Sequence, residues 1–104
     1  MESATPTPDF GRSVRRPDRV VVRELDGEAI LLNLDTERYF GLDEVGTRMW
    51  SELVAAPSIG AAFRALEREF DVEPDVLRND LETLIARLLE AGLLELGTGE
   101  GSAR

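Results

Sequence analysis

Residues 20–42 read VVVRELDGEAILLNLDTERYFGL, and the apolar runs and turn residues of this stretch predict the sheet of the protein. Two apolar runs, VVVREL and EAILLNL, are separated by Asp26-Gly27. Asp-Gly between apolar runs is a strong hairpin signal, because both central residues of a type I′ turn need a positive φ. A second turn over residues 35–37 leads to a short third strand, Arg38–Leu42. The stretch therefore predicts a three-stranded antiparallel meander.

From Asp43 onward the apolar residues recur with a helical period. Asp43 suits the N-cap of a first helix, which Pro57 ends, and Ser58 suits the N-cap of a second. Pro74 sits at a favoured first-turn position of a third helix, which carries a leucine-rich stripe and ends before Gly92. A small sheet followed by three helices on one side of it predicts an α+β domain.

The two ends of the chain differ from the body in composition. Residues 1–18 contain three prolines and few apolar side chains, so we expect a mobile arm. Residues 97–104 read GTGEGSAR, a Gly-rich sequence that predicts a flexible tail. The folded domain is expected to span residues 19–96.

The composition excludes several classes of function. The chain has 104 residues, 21 acidic and 12 basic, and its net charge of -9 argues against a polyanionic partner. Without histidine or cysteine there is no disulfide framework, no imidazole or thiolate metal ligand, and no His- or Cys-based catalysis. Carboxylates could supply an acid–base pair, but none interrupts an apolar stripe. We expect a non-enzyme without cofactor or metal.

The sequence also bears on location. No apolar run approaches the ~18 residues that a membrane helix requires, and the N-terminus lacks the apolar segment of a secretory signal. We therefore expect a cytoplasmic protein without a membrane partner.

The third strand, Arg38–Leu42, is the first candidate for function. An outer strand of a meander exposes unpaired N–H and C=O groups, and this one carries no Pro or Lys to block another strand. With the third helix beside it, the edge would form a groove for an extended peptide held by strand addition. The pattern leaves open whether Tyr39, Phe40 and the leucines line a groove or belong to the core. A weak homodimer through the same edge also stays open.

Three helices ending in LIARLLEAGLLEL also suggest a winged helix, a frequent DNA-binding form. Residues 73–90 carry five acids and two arginines, whereas phosphate recognition relies on Lys and Arg. We therefore expect no nucleic acid partner. A winged-helix DNA-binding regulator or a generic protein-interaction module is the alternative function.

Residues 30–50, ILLNLDTERYFGLDEVGTRMW, resemble the signature of the pyrroloquinoline-quinone biosynthesis protein D (PqqD-like) family. There, a strand ending in LN leads through a turn to a Tyr-aromatic-x-Leu strand, then to an N-cap Asp or Asn, a Gly and a Trp. The matching residues here are Leu32, Asn33, Tyr39, Phe40, Leu42, Asp43, Gly46 and Trp50. Residues 70–94 resemble the second half of the family, so the resemblance covers about residues 20–96.

The resemblance implies a recognition element for the precursors of ribosomally synthesised, post-translationally modified peptides, with a winged-helix-like fold. Such an adaptor holds the precursor's leader as an added strand and presents it to a modifying enzyme, such as a radical SAM enzyme, a leader peptidase or a cyclase. Carried onto this chain, the leader-binding residues are Arg38, Tyr39, Phe40, Gly41 and Leu42 on the strand and Leu77, Arg78, Leu81, Leu84 and Ile85 on the third helix. Because that helix is acidic, we expect a leader with Lys or Arg beside its apolar anchors.

Overall fold

The computed structural model describes residues 10–97. The strands are β1 (Val14–Arg15), β2 (Val20–Leu25), β3 (Glu28–Asn33), β4 (Tyr39–Leu42) and β5 (Glu95–Leu96). The helices are α1 (Glu44–Ala55), α2 (Ile59–Glu69) and α3 (Pro74–Glu90). Strands β2, β3 and β4 form an antiparallel sheet in that order, and β1 pairs with β5 in a separate two-stranded sheet. The predicted α+β class, a three-stranded sheet followed by three helices, is confirmed.

The turn between β2 and β3 has the predicted conformation. Asp26 has a φ of 56° and Gly27 a φ of 83°, so both central residues occupy the left-handed region. Leu25 pairs with Glu28, which makes this a two-residue hairpin loop. The Asp-Gly pair therefore sets the register of the first two strands of the sheet.

Asn33 organises the turn between β3 and β4. Its side-chain oxygen accepts hydrogen bonds from the N–H groups of Asp35 at 2.9 Å and Thr36 at 3.1 Å. Its side-chain nitrogen donates to the carbonyl of Gly92 at 2.8 Å. Since Asn33 is buried, these bonds offset the cost of removing an amide from water. This residue thereby ties the sheet to the end of α3.

Side-chain caps start the first two helices where the sequence predicted them. Asp43 accepts a hydrogen bond from the N–H of Gly46 at 2.8 Å, and Ser58 accepts one from Ala61 at 3.1 Å. The third helix begins at Pro74 without a side-chain cap. The order and the starting points of the helices therefore follow from local sequence.

The end of α3 is a Schellman motif. Gly92 has a φ of 75°, its N–H donates to the carbonyl of Leu89 at 3.1 Å, and the N–H of Leu93 donates to Leu88 at 2.8 Å. The chain then reverses into β5 with Leu93 buried. The glycine makes this reversal possible because a side chain is strained at that φ.

The core lies between the inner face of the sheet and the three helices. Its buried apolar side chains from these elements are Val20, Ala29, Leu31, Leu42, Met49, Trp50, Leu53, Ile59, Ala62, Leu66, Leu77, Leu81, Ile85 and Leu88. Gly46 of α1 packs closely, since a Cβ there would stand 3.2 Å from Leu42. None of the helices in residues 10–97 is long and apolar enough to cross a membrane.

Residues 10–18 differ from the mobile arm that the composition predicted. Phe10 packs against Phe63 with ring centroids 5.7 Å apart, and its carbonyl accepts a hydrogen bond from Gly60 at 2.8 Å. Val14 is buried, and β1 pairs with β5. Phe10 and Val14, two apolar side chains of this segment, pack on the body, so the packed region includes residues 10–18. Residues 1–9 and 98–104, the rest of the expected arm and tail, lie outside the described residues.

Candidate functional site

Strand β4 is an open edge of the sheet within the part of the chain that the structure describes. The N–H of Asn33 donates to the carbonyl of Arg38 at 2.8 Å, and Phe40 lies opposite Leu31. Backbone groups of successive residues point to opposite sides of a strand. Residues 38, 40 and 42 therefore face β3, whereas residues 39 and 41 direct their N–H and C=O groups away from the sheet.

Thr47 lies at the end of β4 that leads into α1. Its buried hydroxyl oxygen accepts a hydrogen bond from the N–H of Ala29 at 2.9 Å and donates to the carbonyl of Leu42 at 3.4 Å. The hydroxyl bridges two backbone groups that face each other across the strand pair. Pairing between β3 and β4 therefore ends here, and the chain turns into α1.

A cleft of about 400 Å³ adjoins the end of β4. It lies between the first half of α1 and the middle of α3, and it is lined by Asp43, Val45, Gly46, Met49, Asn79, Asp80, Thr83, Leu84 and Arg87. A second cavity of about 410 Å³ lies over the sheet and includes Gly41, Leu42 and Asp43. Asp43 lines both cavities, so both adjoin the junction between β4 and α1.

Three of the five strand residues predicted for the site are exposed, namely Arg38, Tyr39 and Gly41. Tyr39 is 75% exposed, because its side chain projects from the outer face of the sheet. Phe40 is half-buried and Leu42 is buried, because both project from the inner face of the sheet.

The helix residues predicted for the site divide into three groups. Leu77, Leu81 and Ile85 are at most 2% exposed and belong to the core. Arg78 is exposed, but its guanidinium lies 4.3 Å from the ring centre of Phe10, away from the cleft lining. Leu84 is half-buried and lines the cleft. Of these five residues, the structure brings Leu84 to the surface that adjoins β4.

The cleft-lining residues of α3 that the sequence prediction missed are Asn79, Asp80, Thr83 and Arg87. Positions 80, 83, 84 and 87 follow helical spacing, so they share one face next to the buried stripe. On α1, Val45 is 48% exposed and also lines the cleft. The helical spacing indicates that the four α3 positions share a face. Whether that face lines the cleft depends on the rotation of α3 about its axis, which the spacing does not give.

The net negative charge of the cleft lining is smaller than that of α3 as a whole. Within the described residues, the cleft is lined by two acids, Asp43 and Asp80, and by Arg87. The other acids of residues 73–90 lie outside its lining, and Glu82 pairs with Arg78 at 3.5 Å. The cleft therefore carries about one net negative charge and has opposite charges along α3.

A separate charged cluster joins α1 to α2. Arg48 donates two hydrogen bonds of 2.8 Å to Glu69 and one of 2.8 Å to Glu52. The bonds from Arg48 lower the pKa of Glu69 and raise that of the guanidinium itself. This cluster holds the two helices together and takes no part in lining the cleft.

A family model described as Coenzyme PQQ synthesis protein D (PqqD) matches residues 28–94. The chain belongs to the PqqD family. The matched region of this PqqD-family protein runs from β3 to the end of α3, so it contains the open edge and both walls of the cleft. The resemblance drawn from residues 30–50 is confirmed.

Two solved structures are similar to this PqqD-family protein. TbiB1 in complex with the TbiA(beta) leader peptide is 35% identical, with 83% of this chain and 99% of that chain covered and a TM-score of 0.73. A lasso peptide synthetase B1 complexed with the leader peptide is 22% identical, with coverage of 79% and 96% and a TM-score of 0.70, and it shares the fold. No curated protein matches the sequence.

Proposed function

We propose that this PqqD-family protein is a non-catalytic adaptor for the leader of a ribosomally synthesised, post-translationally modified peptide precursor. The leader adds as a strand to β4 and is presented to a modifying enzyme. The observation that carries this proposal is the open edge of β4, with a partly apolar cleft next to its end. It is supported by the 35% identity to TbiB1, which was solved with the TbiA(beta) leader peptide.

The backbone groups of Tyr39 and Gly41 supply the pairing sites for the leader. Side chains on one face of the added strand continue the inner face of the sheet and enter the cleft, where Val45, Met49 and Leu84 offer apolar contacts. Each fully buried apolar side chain contributes about 1.5–3 kcal/mol, and ordering a flexible leader takes back several kcal/mol. Two or three such anchors contribute about 3–9 kcal/mol, so micromolar or tighter binding also requires the backbone hydrogen bonds to Tyr39 and Gly41.

The predicted helix residues have two different roles in this proposal. Leu84 contacts the leader, whereas Leu77, Leu81 and Ile85 fix the position of α3 from the core side. Arg38, Phe40 and Leu42 support the edge strand.

The chemistry belongs to the partner enzyme in this proposal. The chain has no histidine or cysteine to act as base or nucleophile, and the shifted pKa of Glu69 arises from an ion pair between helices. We place the adaptor in the cytoplasm, together with the ribosome that makes the precursor and with a radical SAM enzyme, a leader peptidase or a cyclase.

Substitution of Gly41 tests strand addition. A Cβ at this position meets no atom within 4 Å, so Gly41→Ala keeps the fold and the backbone N–H. Gly41→Pro removes the outward N–H and leaves the pairing of Phe40 with β3. We expect Gly41→Pro to weaken peptide binding about tenfold or more, and Gly41→Ala to change it less than about threefold.

The measurement is fluorescence anisotropy with two labelled probes, the TbiA(beta) leader peptide and the best peptide from a surface-displayed random library. Circular dichroism checks that each variant is folded, and duplex DNA serves as a control ligand. Equal affinities of the proline and alanine variants would contradict strand addition. If the wild-type protein binds neither peptide, or binds only DNA, the adaptor function is wrong.

A further inference from the structure

The cleft carries opposite charges at two points along α3. Asp80 and Arg87 both line it and both are exposed, with Thr83 and Leu84 between them. Asp80 and Arg87 are seven positions apart, so their Cα atoms are separated by about 10.5 Å along the helix axis. Neither side chain forms a salt bridge within residues 10–97, in contrast to Arg78, which pairs with Glu82.

An open strand edge does not by itself fix the direction of a peptide. Its N–H and C=O groups can pair with a parallel or an antiparallel strand. Apolar contacts in the cleft are non-directional, so Val45 and Leu84 discriminate weakly between the two directions. A pair of separated opposite charges is different, because reversing the peptide brings like charges together.

We infer that Asp80 and Arg87 select the direction and register of the leader by pairing with one basic and one acidic side chain. This inference rests on the proposed function. Residues two or four apart on a strand share a face and are separated by about 6.8 or 13.6 Å, which brackets the spacing on α3. Asp43 also lines the cleft, but its carboxylate already caps α1 through Gly46 at 2.8 Å.

The substrate class that follows is a leader with two opposite charges on the same strand face. The charges lie two to four residues apart, near the apolar anchors that enter the cleft. To the expected Lys or Arg beside the apolar anchors, this adds an acidic side chain that pairs with Arg87. Since both side chains are exposed, the preference weakens as salt increases.

A charge swap tests the inference. A surface-displayed library of random peptides is selected against the wild-type protein and against the double variant Asp80→Arg with Arg87→Asp. We expect the wild-type selection to enrich one basic and one acidic position in a fixed order, and the double variant to enrich the reverse order. The matched control is Arg78→Glu with Glu82→Arg, a swap on the same helix outside the cleft, which should leave the wild-type order unchanged.

Two single variants keep the test valid should the double variant fail to fold. Binding of a peptide selected on the wild type is measured with Asp80→Asn and with Arg87→Gln. Each is expected to weaken binding about two- to fivefold at low salt, with little effect at high salt.

The inference is overturned by an unchanged charge order in the folded double variant, or by unchanged affinity in both single variants. The proposed function survives either result if Gly41→Pro still prevents binding of the selected peptides. It fails separately if the wild-type protein selects no peptides at all.

Discussion

Thr47 is a single residue whose hydroxyl limits the length of the edge strand. It bridges the N–H of Ala29 and the carbonyl of Leu42 in the interior, where neither group can reach water. At the residue scale, the position of the open edge therefore depends on one buried side chain. Asn33 has a corresponding role at the other end of the strand pair, because its side chain organises the preceding turn.

Thr47→Val tests the bridge with almost no change in shape. It leaves a buried donor and a buried acceptor unpaired, so we expect a loss of about 1–3 kcal/mol in the free energy of unfolding. Urea denaturation measures this loss. Thr83→Val is the control, because Thr83 is an exposed helical residue, and it should change stability by less than about 0.5 kcal/mol. Equal stabilities of the two variants would show that the bridge is not important.

At the element scale, the cluster around Arg48 fastens α2 to α1. The two parallel hydrogen bonds from Arg48 to Glu69 have the geometry of a bidentate pair, which is more specific than a single contact. Because the pair is exposed, water and salt weaken it.

The pH dependence of stability follows from the lowered pKa of Glu69. The folded pKa lies below the ordinary value of 4.5, so the ion pair stabilises the protein above that value and stops doing so as pH falls through the folded pKa. We expect Glu69→Gln to be less stable than wild type near neutral pH, with the difference disappearing in acid. Urea midpoints across pH measure it, and Glu67→Gln on the same helix is the control. A difference that persists in acid would contradict this explanation.

At the scale of the whole molecule, residues 10–18 pack against the start of α2 and pair with β5. The carbonyls of Phe10 and Arg12 accept hydrogen bonds of 2.8 Å from Gly60 and Ile59, the first residues of α2. The first N–H groups of a helix have no partner within the helix, so the segment satisfies part of this need. Val14 and the pairing of β1 with β5 complete the contact.

Two truncations test whether this segment belongs to the folded domain. A chain beginning at residue 19 loses the contacts of Phe10 and Val14, and we expect it to be about 2–5 kcal/mol less stable in urea denaturation. A chain beginning at residue 10 keeps those contacts and should be more stable than the chain beginning at residue 19. Equal stability of the two truncated chains would support a mobile arm over residues 1–18.

Local features of the fold were predictable because neighbouring residues determine them. Asp26 and Gly27 favour a positive φ, Asp43 and Ser58 cap helices, and Gly92 ends one. Each of these depends on the conformational or hydrogen-bonding preference of one or two residues, and each lies where the sequence placed it. The order of strands and helices and the family follow from the same local signals.

Local sequence was therefore enough to predict the meander, the three helices and the open edge strand. Packing between elements distant in sequence places Leu81 and Ile85 in the core and Asp80, Leu84 and Arg87 in the cleft lining. It also brings Phe10 onto Phe63 of α2. The physical reason is that periodicity defines a helical face within a residue or two, whereas the rotation of a helix and the docking of a distant segment depend on the surfaces packed against them.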